Sequence, residues 1–163
     1  MGISKLPQPM PRASSQQIAD PVSPDEFYVT ADRIPVLPGA YLLLIELMDD
    51  TVVKLPGKRG ASLVPGRYLY AGSAYGPGGL KARISRHMRR GKRRCWHIDQ
   101  LTETGAVLGA WIFPGDSECD LANLNSALPV PIVGFGSTDC NRCRSHLLGP
   151  LCMDLLRDQD LVE

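Results

Sequence analysis

The sequence predicts a mixed α/β domain of the α+β kind, with a small central sheet, mostly antiparallel, of about three to four strands flanked by helices. Three observations predict it. The stretch "GAYLLLIEL" (39–47) is a continuous apolar run of strand length, as expected of a strand covered on both faces. Two further strand-length runs, "RYLYAGSA" (67–74) and "GAVLGAWIF" (105–113), follow it. Each of these two is trailed by a segment with helical apolar spacing, and the order hairpin, strand, helix, strand, helix lays helices over a sheet.

Taken in order, residues 1–36 are rich in Pro, Ser and Gln, with scattered apolar residues and no period. Such a segment buries too little surface to offset its ordering entropy, so a flexible N-terminal arm is expected there. The folded domain is expected over 37–163. After the first strand, "MDDT" supplies a turn and "VVKL" (52–55) alternates as its partner strand. "PGKRGASLVPG" reads as a loop, with room for a short strand at "SLV". The strand at 67–74 runs through the turn "YGPGG" into a helix over 79–90, whose buried face carries Leu80, Ile84 and Met88. Ser117 is a good N-cap, with Asp120 three residues on, for a helix carrying Leu121, Leu124 and Leu128 inward. "PIVGF" reads as a short strand or extended segment. "SHLLGPLCMDLLRDQ" reads as a C-terminal helical extension, at least after Pro150.

Composition narrows the class. A chain of 163 residues with 44% apolar content suits one domain. No run approaches the roughly 18 apolar residues of a membrane span. The N-terminus lacks the apolar core of a secretory signal, and "MGISKL" lacks the Ser or Thr of a myristoylation pattern. Five cysteines, an odd number with no secretion signal, read as thiols in a reducing cytoplasm. The net charge of +1 conceals an asymmetry: eight of the 18 Lys and Arg lie between Leu80 and Arg94, with no Asp or Glu among them. Charge confined to one segment is an electrostatic footprint of the kind that meets nucleic acid, although it also suits a solvated face.

On the basic helix Arg83 and His87 are four apart and share a side, while Arg83, Arg86 and Arg90 form a second row. A row of guanidiniums suits a phosphate backbone, because each planar fork grips two oxygens. Gly76, Gly78 and Gly79 would let the backbone approach an anion at the helix N-terminus. Lys81, Arg89, Lys92, Arg93 and Arg94 extend the DNA-binding candidates along the run. Tyr41 sits at the start of one central strand, and Tyr68 and Tyr70 share one face of another. If Tyr41 meets Tyr70 across the sheet, two phenols converge near the helix N-terminus, where an Arg and a metal would lower a phenol pKa toward water activation. The alternative is ordinary core packing. Glu118 opens its helix beside the buried face, as a metal ligand or as a partner of the helix dipole. In "CWHIDQL", His97 with Asp99 forms a second acid/base pair, or else Trp96 and Ile98 pack inward and His97 satisfies a core hydrogen bond. "CNRCRSH" spaces Cys140, Cys143 and His146 as zinc ligands, with Cys95 or Cys119 to complete a tetrahedron.

These residues resemble a known family. "GAY" (39–41) and "YAG" (70–72) look like the paired motifs that name the GIY-YIG nuclease superfamily. "LKARISRH" resembles its arginine-bearing helix and "ECDLA" (118–122) its glutamate-bearing helix. The resemblance covers about residues 38–148 and is nearest to the Uri-type branch, through "YLYAGSAYGPGGLKARISRH", "WHID", "EC" and "GFGSTDC…SHL". It implies a GIY-YIG-like fold and a DNA endonuclease, serving repair or processing, that hydrolyses phosphodiester bonds with one divalent cation, Mg²⁺ or Mn²⁺. Carried over by position, Tyr41 or Tyr70 activates or orients the attacking water, and Arg83 stabilises charge on the phosphoryl oxygens. Glu118 binds the cation, and His87 transfers a proton or contacts phosphate. Asn125, seven after Glu118, is the candidate for the superfamily's late Asn. The chain departs from the naming motif by having Ala40 and Ala71 in place of Ile, on the side opposite the tyrosines. Its Cys140–Cys143 pair is one residue wider than the Uri-type pattern, which makes structural zinc the less expected outcome. The alternatives are a non-catalytic nucleic-acid-binding module of the same fold and a zinc-organised interaction domain. The partner expected is DNA, read by backbone or shape, with no membrane.

Overall fold

The computed structural model of the chain describes residues 27–152. Its centre is a five-stranded sheet in the order β1-β6-β2-β5-β7, antiparallel at every pairing. The strands are β1 (Phe27–Tyr28), β2 (Gly39–Leu47), β5 (Gly66–Ser73), β6 (Ala106–Pro114) and β7 (Leu147–Leu148). A separate two-stranded ribbon joins β3 (Thr51–Val53) to β4 (Ala61–Leu63). The helices are α1 (Gly79–Met88), α2 (Asp99–Thr104) and α3 (Glu118–Leu124).

The apolar run of β2 is the middle strand, buried along almost its whole length. Alternation sends Tyr41, Leu43, Ile45 and Leu47 into one core, shared with Leu80, Ile84 and Leu101 from α1 and α2. Ala40, Leu42 and Leu44 enter a second core with Trp111 of β6 and with Leu121 and Ala122 of α3. Helices thus cover both faces, and α3 lies on the side opposite α1 and α2. Leu80 and Ile84 occupy the buried stripe of α1 as their spacing predicts. Among the described residues no helix is long and apolar enough to cross a membrane.

Five local expectations need correction. "VVKL" does not pair with β2, because β5 and β6 already occupy both edges of that strand; β3 closes instead on β4. Residues 27–36 are not a loose arm. β1 pairs with β6, Phe27 stacks on Trp111 with ring centroids 4.5 Å apart, and Ile34 is buried. Those few apolar residues suffice because the sheet edge supplies backbone partners that composition does not register. The rest of the expected arm, 1–26, lies outside the described residues. α3 ends at Leu124, which is 42% exposed, so its apolar stripe is one turn shorter than the spacing suggests. "PIVGF" forms turns, and Leu147–Leu148 is an edge strand on β5 rather than helix. The helical extension beyond 152 lies outside the described residues.

Candidate active site and metal centre

A cleft of about 370 Å³ opens where β2, β5, α1, the segment before α2, the start of α3 and the 136–139 loop meet. Tyr41, Tyr70, Arg83, His87, His97 and Glu118 all line it. β2 and β5 place the tyrosines. Tyr41 stands opposite Gly72, and Tyr70 opposite Leu43, so the two phenols are diagonal neighbours on one face. The Tyr41 ring packs against Gly72, where an added Cβ would come within 2.3 Å of the phenol carbon and oxygen. That close approach explains the glycine of "YAG".

The Tyr41 hydroxyl and His87 Nε2 share a buried hydrogen bond of 2.7 Å. Burial drives the Tyr41 pKa well above its usual value, with the neighbouring Tyr70 adding to the effect. Burial likewise drives His87 down to about 3, with Asp99 opposing. The pair is therefore a neutral phenol against a neutral imidazole, and the other ring nitrogen, Nδ1, is buried without a hydrogen-bond partner. Tyr70 is held at about 12 by burial, although the Arg83 charge pulls it down. The lowering expected of a phenol needs an arginine and a metal together; the guanidinium by itself does not outweigh the loss of solvation. Arg83 and Glu118 each have no hydrogen bond or ion pair among the described residues, so both side chains are available to a ligand.

The segment 95–99 settles the open alternatives. Asp99 does not serve His97. It is fully buried and receives both guanidinium nitrogens of Arg86, at 2.8 and 2.9 Å, with backbone N–H groups of Cys95 and Trp96 at 2.7 and 3.0 Å. Burial alone pushes this carboxyl up, but those four donors outweigh it and hold it at about 2. Asp99 thereby fixes the loop that brings Trp96 and His97 to the cleft. His97 Nδ1 accepts a 3.4 Å hydrogen bond from the Gly136 amide, which leaves its proton on Nε2. Ile98 is buried as the packing alternative requires, whereas Trp96 is 41% exposed. Its ring carries the guanidiniums of Arg83 and Arg86, with centroid distances of 4.3 and 4.1 Å.

The basic run divides. Arg86 is committed to Asp99 and the Arg93 carbonyl. Arg90 donates to the carbonyls of Glu103 and Gly105 at the end of α2. Lys92 Nζ, with its side chain only 1% exposed, meets the carbonyls of His87 and Arg89 and the Glu103 carboxylate, capping α1. Lys81 donates to the Asp32 carbonyl. These four are engaged within the fold, which leaves Arg89, Arg93 and Arg94 exposed. Gly78 and Gly79 do not line the cleft. Gly79 is needed because its backbone packs on Leu37, whose carbonyl a Cβ would approach to 2.4 Å and which accepts from the Leu80 amide. Asn125 is also elsewhere: buried at the end of α3, it donates to the Leu121 carbonyl.

Beside the cleft, Cys119, Cys140, Cys143 and His146 bring four donor atoms within 4.8 Å of one another, a group that could hold a metal ion. Cys119 rather than Cys95 completes the set, and Cys95 lies on the cleft rim. The wider Cys140–Cys143 spacing does not prevent assembly. Burial pushes Cys143 up to about 12, while the Arg142 amide hydrogen bond lowers Cys140. Burial lowers His146.

Thr138 and Asp139 also line the cleft, and sequence reasoning singled out neither. Their signal was the pair of glycines in "GFG", both with positive φ, which bend that loop back toward Tyr70. No curated protein and no solved structure matches the chain. A family model does match over residues 40–156, which include every residue of the cleft: the chain belongs to the family described as a domain of unknown function, DUF123.

Proposed function

We propose that the protein is a divalent-cation-dependent endonuclease of the GIY-YIG kind that hydrolyses phosphodiester bonds in DNA. The observation that carries this reading is convergence. Six residues scattered from 41 to 118, on two strands, two helices and one loop, line one cleft, and neither Arg83 nor Glu118 in it has a hydrogen bond or ion pair among the described residues. Packing alone gives no reason to bring an unpaired guanidinium and an unpaired carboxylate to the same concavity.

The roles follow from the chemistry of each group. Arg83 offers its planar fork to the oxygens of a phosphodiester, where charge grows as the phosphorus is attacked. Trp96 holds that guanidinium from one side and limits its freedom. Glu118 supplies a hard oxygen donor that fits Mg²⁺ or Mn²⁺, cations that keep waters and take one or two carboxylates. Such a cation supplies Lewis-acid polarisation and a water of lowered pKa. Tyr70, which has no side-chain hydrogen bond among the described residues and lines the cleft with Glu118 and Arg83, orients the attacking water. Tyr41 and His87 stand beside it as a neutral buried pair, whose 2.7 Å hydrogen bond fixes the Tyr41 ring at the cleft wall. His97 presents Nε2–H as a donor to phosphate or leaving oxygen.

A panel of nicked, branched, single-stranded and duplex DNAs, with Mg²⁺, Mn²⁺ and EDTA lanes, tests this. Cleavage is expected in the metal lanes, abolished by Glu118→Ala with DNA binding retained. Binding without cleavage of any substrate would instead support a non-catalytic module of the same fold.

A further inference from the structure

We propose that Cys119, Cys140, Cys143 and His146 bind one zinc ion in a closed structural site, and that this ion holds Glu118 at the edge of the cleft. The zinc site stands on its own geometry; the role given to Glu118 rests on the nuclease reading. The four donors come from three pieces of chain: the first turn of α3, the 140–143 turn and the residue before β7. Around a zinc ion with Zn–S near 2.3 Å and Zn–N near 2.0–2.1 Å, tetrahedral donors stand roughly 3.5–3.8 Å apart. Cys119 Sγ is 3.3 Å from Cys140 Sγ and 3.8 Å from His146 Nε2, and all four donor atoms lie within 4.8 Å of one another, so shifts of about an ångström or less bring the group to that arrangement. Three sulfurs and an imidazole are soft donors that select zinc and disfavour Mg²⁺. All five cysteines are free thiols, and Cys140 Sγ accepts the Arg142 amide at 3.4 Å, as a ligating thiolate does. Four protein ligands fill a tetrahedral shell, so this centre has no open position for water or phosphate.

The consequence for the cleft comes from connectivity. Glu118 is the residue before the ligand Cys119, and α3 has only seven residues, too few to hold its own first turn firmly. The ligand His146 itself lines the cleft. Its carbonyl accepts from the Ala71 amide beside Tyr70, at 2.9 Å, and its amide donates to the Phe135 carbonyl beside Gly136, also at 2.9 Å. An ion binding all four residues therefore ties the start of α3 to β5 and to the 136–139 loop, which are three walls of one site. Glu118 is then set by a metal one residue away, to which it is not a ligand.

The test uses the full chain purified without chelators. Atomic spectrometry is expected to find about one zinc per chain. Cobalt substitution should give thiolate charge-transfer absorption with tetrahedral visible bands. Cys143→Ser should lose both signals and Glu118→Ala should keep both. Mn²⁺ binding, followed by electron paramagnetic resonance, should weaken by at least about tenfold when zinc is removed and far-ultraviolet circular dichroism is unchanged, the usual scale for losing a group that orients a ligand. Should removal unfold the chain, the cobalt-loaded protein is titrated with Mn²⁺ instead; its visible bands should shift, and those of Glu118→Ala should not. Absence of zinc, or a Cys119–Cys140 disulfide in the purified protein, overturns the site. Mn²⁺ affinity independent of zinc, or cobalt bands indifferent to Mn²⁺, overturns the hold on Glu118. A zinc-loaded protein that binds Mn²⁺ through Glu118 yet cuts no DNA keeps both halves and counts against the nuclease reading alone.

Discussion

Arg83 and Arg86 lie one turn apart on α1, with guanidinium carbons 4.3 and 4.1 Å from the centre of the same Trp96 ring. Arg86 forks onto the buried Asp99 and also reaches the Arg93 carbonyl. Among the described residues Arg83 has no such partner, and it borders the cleft with Glu118 and Tyr70. Identical charges on one helix, against one indole, thus take opposite parts: one closes the fold and the other is left for a ligand. Partner supply makes the difference, since a single buried carboxylate satisfies one guanidinium.

The largest expected effect would break that comparison from the ligand side. Arg83→Ala should lower cleavage by about 10²–10³-fold, the scale for removing one preorganised donor from a charged transition state, and should barely change the melting temperature. Arg86→Ala should do the reverse first. It leaves Asp99 buried with only its two amide donors, a loss of about 3–5 kcal/mol that thermal unfolding would reveal. Any fall in its cleavage rate should track the unfolded fraction. Equal stability losses in the two variants would show that the helix uses its arginines alike.

The sequence made part of this contrast legible. Alternation in β5 and the period of α1 put Tyr70 and Arg83 on surfaces that meet, and Ser117 located the start of α3 to the residue. What it could not show was which arginine has a partner, because Asp99 is 13 positions beyond Arg86 and His97 looked like its nearer companion. The caps made by Arg90 and Lys92 were hidden for a similar reason: they bind backbone carbonyls, which leave no trace in residue identity. β1 and β7, at two residues each, are too short for a period to register. Membership of the Cys3His group was half legible, since spacing paired Cys140 with Cys143 but only the fold chose Cys119 over Cys95.

The buried Tyr41–His87 pair offers a pH test of the same helix. His87 resists protonation in the fold, at about 3, whereas the unfolded chain takes that proton near 6.5. Its lowered value means that the neutral form is favoured on folding. Stability is therefore fully present above pH 6.5 and is lost as pH falls toward 3. By pH 4 the loss attributable to His87 is about 3 kcal/mol, at 1.36 kcal/mol per unit. Thermal melts of the wild type and His87→Gln should converge on acidification, because the variant has no such proton to exclude. His146 acts in the same direction, so the comparison must be made between variants and not on the wild type alone.

The smallest effect concerns the exposed remainder of the basic run. With Arg86, Arg90 and Lys92 engaged inside the fold, only Arg89, Arg93 and Arg94 are left to meet phosphates beyond the cleft. Replacing all three by Gln should weaken duplex DNA binding about uniformly across sequences and flatten its salt dependence, by roughly 0.9 in log–log slope for each phosphate no longer neutralised. Cleavage at saturating DNA should hold, since none of the three borders the cleft. Lys92→Gln is the counterpart. It should leave the salt slope alone and lower stability, because its ammonium caps carbonyls at the end of α1 and pairs with Glu103. A change in salt slope for Lys92→Gln, with none for the triple variant, would mean that DNA binds the run from the side now turned toward α2.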